Sequence, residues 1–443
     1  MKVLIIGNSG IEHALALNLS LSTHVNKIYC CPANPGISNI AECISIDLND
    51  FQSLVAFSKE KNIDLVLVNS PQLISQGIVD FFKSHKIKIF APNKDSSQIE
   101  WSKYFTKEFA LRREIPAPRY VAFDKKEYAL AYVSSRKLPV VIKANTCFDE
   151  SKGSVVVSSF EGAEGAINAC LQGHFGANNR TVIIEEYIEG EVLSIFAICD
   201  GENYSILPTV KSYRNLFNEE KGPLTEGMGA ISPHPNLPSH ILEKIELQIL
   251  KPFIEGMKEE GRPYKGFLAI KTVIDKNSQP YLLELNSTLK DPEAQLIFLL
   301  LECDLFEVLW QAQRGTLGYF RGVLPSVETS GNPGIALNAV ISIQGYPDKF
   351  NDDLAIRFQK NLIFGNHCQL IDQSGEINHN LVKIFLFHMG TKLDFSKNLI
   401  TAGGRVFGIT ALSNDINLAK KALYKVISKI DIKGKHFRED IGL

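Results

Sequence analysis

Glu284 and Asn286 stand two residues apart in an extended run, so both side chains project from one face while Leu283 and Leu285 project from the other. A carboxylate and an amide oxygen on one face suit a hard cation such as Mg²⁺ or Mn²⁺ that bridges nucleotide phosphates. A strand end whose polar groups are simply solvated has the same spacing, so the pair alone decides nothing. Lys143 ends a second apolar strand, where an ammonium can meet phosphate oxygens, although isolated strand-end lysines are more often surface residues. Ser151-Lys152-Gly153 is a short cationic loop between two strands, in the manner of a phosphate lid. The run Glu185-Glu186-Tyr187-Ile188-Glu189-Gly190 ends a third strand in a turn whose backbone suits hydrogen bonding to an adenine. Near the start, Gly7-Asn8-Ser9-Gly10 lies between a strand and a helix, where free backbone N–H groups and the helix dipole hold an anion. A dinucleotide site wants G-x-G-x-x-G and an acidic end to the second strand. Here the middle glycine is absent and the second strand runs into Cys30, Cys31 and Pro32.

These side chains need elements to hold them. Lys2 to Ile6 reads as a buried strand, followed by a helix from about Glu12; Lys27–Cys30, Ile63–Val68 and Ile87–Phe90 are further β-rich runs, with a helix over Phe51–Lys61. Strands alternating with helices predict a parallel sheet covered on its faces. A second block, 101–322, holds the strands Val140–Lys143, Thr181–Glu186 and Tyr281–Asn286, with a lid subdomain over about 120–190. A third, 323–443, mixes the β-rich runs Ala336–Ile343, Leu381–Phe387 and Arg405–Thr410 with a helix over Ile416–Ile430.

The 443 residues suit roughly three domains at about 150 each. Hydrophobic residues are 45% and charged residues 22%, enough to bury a core throughout. Lys plus Arg is 47 against 49 for Asp plus Glu, a balance that argues against nucleic acid held by bulk electrostatics and against docking on an anionic membrane. The expected partners are small molecules. The eight cysteines never form C-x-x-C, so they read as core thiols of a cytoplasmic protein. The longest apolar run after the first strand, Leu296 to Leu301, is far too short to span a bilayer. His13, at a helix start, reads as a packing or capping residue rather than an acid–base catalyst.

The order of the pieces is more specific than any one of them. GNSGIEHA (7–14), ANPG (33–36), SKYFTK (102–107), VIKA (141–144), EEYIEGE (185–191), GPLTEGMGA (222–230), LELNSTLKDPEAQ (283–295), HMGT (388–391), TAGGRV (401–406) and FREDIG (437–442) together resemble the ATP-grasp superfamily. Within it they resemble the phosphoribosylamine–glycine ligase family, over the whole chain. The resemblance implies an α/β fold with a Rossmann-like parallel-sheet domain over 1–100, an ATP-grasp domain over 101–322 and a small C-terminal α+β domain over 323–443. It implies ATP and Mg²⁺ as cofactors, and an acyl phosphate formed on glycine and attacked by 5-phosphoribosylamine, a step of purine biosynthesis. Lys103, Lys143 and Lys152 would then meet nucleotide phosphates, Glu185, Glu186, Tyr187 and Ile188 would frame the adenine, and Glu191 would stand near the ribose. Glu284 and Asn286 would ligate the metal. Lys143, Lys152 and Asp291 would serve catalysis, and Gly7 to Gly10 with Arg214 and Lys290 would hold the remaining substrates.

The departures from the family pattern cluster. Ser9 and Ile11 replace a glycine and an arginine; Asn69-Ser70-Pro71 stands for Gly-Pro-Glu; Ser212-Tyr213-Arg214-Asn215 stands for Asp-His-Lys-Arg; Thr288 replaces an arginine, Lys290 and Lys271 replace glycines, and Val192 replaces a glutamate. The glycine-rich lid becomes Cys147-Phe148-Asp149-Glu150-Ser151-Lys152-Gly153. Loss of a charge-assisted contact costs about 1.5–3 kcal/mol. Three readings stay open: the family's own ligase with a diverged substrate site, a ligase for another amine or acid, and a non-catalytic nucleotide-binding relative. The retained metal pair and phosphate-side lysines argue against the third.

Overall fold

A computed structural model describes residues 1–146, 153–173, 181–319, 334–359, 362–365, 367–372 and 381–442. The opening strand β1 (Lys2–Ile6) lies at the centre of a five-stranded parallel sheet. The sheet's order is β3 (Glu42–Cys43), β2 (Lys27–Cys31), β1, β4 (Leu65–Val68), β5 (Ile89–Phe90). Both faces are covered, so β1 is apolar without a break: Val3 and Ile5 enter one core, Leu4 and Ile6 another. The helix expected from Glu12 begins two residues earlier and spans Gly10–Leu21. Ser9 caps it, and Glu12 reaches back to the Ser9 N–H at 2.8 Å in a reciprocal capping box. This helix is buried nearly all round, because it is wedged between its own sheet, the helix Glu293–Leu299 and the strand Val382–His388.

The middle of the chain forms two units. In the first, β6 (Tyr120–Phe123), β7 (Val140–Ala144), β8 (Ser154–Val157) and β9 (Val182–Glu186) make an antiparallel sheet in the order β6-β9-β7-β8. Helices Lys126–Ser134 and Phe160–Leu171 cover it, and its core is its own: Ala129, Val133, Ile142, Ala163 and Ile167 among others. In the second, β10 (Gly190–Asp200), β11 (Tyr204–Ile206), β14 (Lys265–Asp275) and β15 (Pro280–Asn286) run β11-β10-β14-β15. The β14–β15 register is interrupted by a bulge between Lys271 and Thr272, with Lys271 opposite Glu284 and Ala269 opposite Asn286.

Between these lies the hairpin β12 (Lys211–Phe217) and β13 (Lys221–Ser232), which leaves the middle unit. β13 pairs with β16 (Ile335–Ile343), and the sheet continues through Arg405–Ser413 to Val382–His388, with Lys435–His436 on the edge of β16. The C-terminal sheet is thus built partly from the middle of the sequence. The last helix ends at Ser428 rather than Ile430, because Ile430–Ile432 turns back to pair with Ile356–Phe358. Among the described residues no helix is long and apolar enough to cross a membrane.

Candidate active site

Four strands, β7, β9, β14 and β15, and one helix bring the charged side chains together. Lys143 is carried by β7 and Glu185 by β9, its neighbour in the small sheet; Glu284 comes from β15. The helix Lys103–Arg112, capped by Ser102, supplies Lys107. Lys143 Nζ lies 3.2 Å from Glu185 Oε2 and 3.6 Å from Glu284 Oε1. Lys107 Nζ lies 3.1 Å from Glu185 Oε1, and Lys271 Nζ 3.5 Å from Glu284 Oε2. The result is a continuous chain of alternating charge, Lys107, Glu185, Lys143, Glu284, Lys271, of which the first three side chains are nearly sealed from solvent.

The charges set one another's protonation. Burial alone would raise Glu284, but Lys271, Lys143, Lys103 and Arg214 together hold it well below the usual carboxylate range. Burial pulls Lys143 down, and Glu185 and Glu284 more than offset it, so its pKa is raised. Lys107 has one carboxylate partner and a cationic neighbour in Lys143; there burial wins and its pKa falls to about 8. Lys103 begins the same helix, where Asn145 accepts the Lys103 N–H and its side chain takes the Tyr104 N–H at 2.8 Å.

Lys271 opens onto a small cleft lined also by Ser212, Arg214, Asn286, Lys290 and Glu293 among others. Asn286 lines this cleft two residues along β15 from Glu284, the two standing opposite Ala269 and Lys271 of β14. Glu293 Oε1 accepts from Ser212 Oγ at 2.6 Å, while its buried Oε2 has no hydrogen-bond partner among the described residues. Arg405 donates to the Asp291 carbonyl at 2.9 Å and ion-pairs with Glu226, fixing the loop that carries Asp291 and Glu293.

The 7–10 loop reaches the other side of that segment. Gly10 packs so closely that a Cβ there would stand 2.4 Å from Gln295 Nε2 and 2.8 Å from Asp291 Oδ1, so a larger residue would displace those side-chain ends. Gly7 takes φ +138°, and a Cβ there would meet the Glu12 side chain. Asn8 is exposed, and its carbonyl accepts from Asn34 at 2.8 Å. Burial lifts Asp291 to about 6, against the pull of Arg405. Burial lifts Glu12 to about 7, despite its bonds from Ser9 and helped by the nearby Asp291 charge. Raised in the folded state, Glu12 contributes stability that is complete below its unfolded value of 4.5 and is lost as pH rises through about 7. Relative to Glu12→Gln, the wild type is expected to lose stability from about pH 5 to about pH 8. Urea midpoints of the two proteins across that range check it; a constant gap contradicts it.

Of the adenine run, Glu186, Tyr187 and Glu191 are exposed and Ile188 is partly covered. Glu186 accepts the Arg119 N–H at 2.8 Å. Glu185 projects from the opposite face of β9, 1% exposed, and its carboxylate is spent on Lys107 and Lys143. Lys152 and the lid residues 147–151 lie outside the described residues.

Family models match the chain from end to end: phosphoribosylglycinamide synthetase N domain over 1–100, its ATP-grasp (A) domain over 101–294 and its C domain over 336–443. The chain belongs to this family. The phosphoribosylamine–glycine ligase of Caldanaerobacter subterraneus subsp. tengcongensis is 35% identical, covering 100% of this chain and 99% of that protein. That of Brucella melitensis is 34% identical, covering 100% and 97%. The crystal structure of the Thermotoga maritima phosphoribosylamine–glycine ligase superposes with a TM-score of 0.81 at 24% identity, covering 99% of this chain and 100% of that one. The Campylobacter jejuni biotin carboxylase in complex with β,γ-ATP gives 0.72 at 16%, covering 98% and 92%; both show the fold.

Against the phosphoribosylglycinamide synthetase pattern, the departures acquire physical roles. Ile11, in place of an arginine, is 6% exposed and joins the apolar core beneath the opening helix. Asn69 exchanges two hydrogen bonds with the Leu289 backbone, at 3.0 and 2.9 Å, while Ser70 caps and Pro71 starts the following helix. Thr288, in place of another arginine, donates to Glu100 Oε1 at 3.1 Å. Glu100 also takes the Ser287 N–H and hydroxyl, and Lys290 stands 3.7 Å away. Val192, where the family has a glutamate, is 55% exposed. His13 is fully buried: its Nδ1 accepts the His388 N–H at 2.9 Å, its Nε2 faces Cys368 Sγ at 2.7 Å, and burial drives its pKa well down, as a packing role requires. Sequence reasoning did not single out Lys107, Glu100 or Arg405. Lys107 and Arg405 lay in recognised motifs, SKYFTK and TAGGRV, and that was their signal; for Glu100 none existed.

Proposed function

We propose that the protein is an ADP-forming carboxylate–amine ligase that joins glycine to 5-phosphoribosylamine, as the names of its relatives suggest. The observation that carries this is the Lys143–Glu284 ion pair, with Asn286 of the same strand as Glu284 lining the adjoining cleft, in a chain that matches the family over 1–294 and 336–443. In the first step a glycine carboxylate oxygen takes the γ-phosphoryl group of ATP and ADP leaves. In the second, the amine nitrogen attacks the carbonyl carbon and inorganic phosphate departs with that oxygen. Phosphorylation converts a poor leaving group into a good one, so the protein's work is alignment and charge neutralisation.

Lys103 and Lys143 receive the phosphates, with Lys152 as a third cation. Glu185 holds Lys143 from behind, and the backbone over Glu186 to Ile188 takes the adenine edge, with Glu191 nearest the ribose. Glu284 and Asn286, with the buried Glu293 Oε2 that has no hydrogen-bond partner among the described residues, form a donor set that would hold a magnesium ion. Such an ion, when bound, neutralises charge that develops on the transferred phosphoryl group. Asp291, between the 7–10 loop and the cleft, takes the proton that the amine gives up; at a pKa of about 6 it is mostly ionised at neutral pH. Arg214 and Lys290 supply positive charge on the substrate side. The small sheet with its own core suits a lid that moves as one body.

The test is phosphate release by the purified protein supplied with Mg-ATP and glycine. Release is expected only when phosphoribosylamine is added, and silence at saturating substrate overturns the reading. One observation favours a second reading: Ile11 is built into the core and Thr288 onto Glu100, so two family arginines are replaced by structural residues. Phosphate release with a different acid or amine from a panel, and none with glycine and phosphoribosylamine, would establish it.

A further inference from the structure

The antiparallel register sets Lys271 directly across from Glu284, next to the unpaired Leu283 of β15, and Lys271 Nζ lies 3.5 Å from the carboxylate. Glu284 is thereby bracketed, with an ammonium on each oxygen: Lys143 at 3.6 Å from Oε1 and Lys271 at 3.5 Å from Oε2. Magnesium bonds a carboxylate oxygen at about 2.0–2.1 Å. An ion on Oε2 would therefore share that side of Glu284 with a positive charge already in place. Lys271 differs from Lys143 in another way: its side chain is 21% exposed, against 4%, and it lines the cleft beside Asn286, Arg214 and Lys290. A lysine is a compact charge on a flexible stem, able to leave a carboxylate for a phosphate without a change of backbone.

Resting on the nucleotide site proposed above, we propose that Lys271 is a resident cation that takes over part of the charge neutralisation a divalent metal supplies at Glu284. The chain then binds nucleotide phosphates with little dependence on magnesium. In a protein with no cation opposite the carboxylate, removal of metal leaves Glu284 and the phosphates to repel one another. Here Lys271 remains between them.

Calorimetric titration of the full chain with ADP, in excess Mg²⁺ and in EDTA, tests this without turnover. The wild type is expected to lose no more than about tenfold in affinity when magnesium is removed, while Lys271→Met, folded by circular dichroism, loses a further factor of about ten in EDTA only. Lys271→Arg should keep the wild-type behaviour, and Lys271→Gly should bind more Mn²⁺ per nucleotide by electron paramagnetic resonance. A larger magnesium dependence in the wild type overturns the proposal, and needs no variant to fold. So does an equal loss in Lys271→Met with and without metal, which marks a plain phosphate contact, and so does no loss at all. Absence of ADP binding even with Mg²⁺ overturns instead the nucleotide site on which the proposal rests.

Discussion

Glu284→Ala is expected to lower kcat by about 10³-fold, with little loss of affinity for metal-free nucleotide. The carboxylate does two jobs at once: it is the one charged donor on the Glu284–Asn286 face, and it separates two ammoniums. Its removal deletes a preorganised group aimed at developing charge, a loss that typically costs about 10²–10³ in kcat, and the loss of a bound cation's stabilisation adds to it. Lys143 keeps Glu185 at 3.2 Å and stays buried, and Lys271 loses its Glu284 partner. Turnover and binding should therefore separate. Steady-state phosphate release beside calorimetric ATP binding reads both, and a variant that keeps more than about a tenth of wild-type kcat denies Glu284 its place in the chemistry.

The second large effect is on stability. Lys107→Met should destabilise the fold by about 1.5–3 kcal/mol, because Glu185 loses one of its two buried ammonium partners and keeps Lys143. Lys107 and Glu185 are 3% and 1% exposed, so only Lys143 remains to face the Glu185 carboxylate. The pair is not a bargain even when intact: burial holds Lys107 at about 8 instead of 10.5. For a cation whose folded pKa is depressed, the unfolded chain binds more protons, so this group's contribution to stability rises with pH between those two values. The double variant Lys107→Met, Glu185→Gln should thus recover much of the loss, since Lys143 still has Glu284. Urea unfolding of the three proteins decides it, and a single variant within about 1 kcal/mol of wild type shows that the pair is dispensable.

Much of this site could be read before any coordinates. Two-residue periodicity placed Glu284 and Asn286 on one face, and the helix Phe51–Lys61 keeps both expected ends. The opening helix was expected two residues late because Gly10 reads as a turn residue; its glycine answers a tertiary demand, the approach of Asp291 and Gln295. Glu185 was legible as part of a strand end, but not that its carboxylate would turn from the nucleotide to two lysines. That depends on a partner 78 residues earlier in the chain, and local periodicity carries no such information. Glu100 shows the same limit: nothing near it in the sequence announces that it pins Ser287 to Lys290. The hairpin β12–β13 reads as part of the middle block and pairs elsewhere, because antiparallel registry with β16 is a property of two distant segments.

The wedged position of the opening helix bears on how the molecule is made. On emerging from a ribosome, Gly10–Leu21 can dock on its own parallel sheet at once, but one flank waits for Glu293–Leu299 and another for Val382–His388. The His13 ring closes on a backbone N–H 375 residues further along. Contacts of such long sequence separation form late. The first helix synthesised is therefore among the last to be sealed, and a nascent chain halted before residue 382 carries an apolar flank in need of a chaperone.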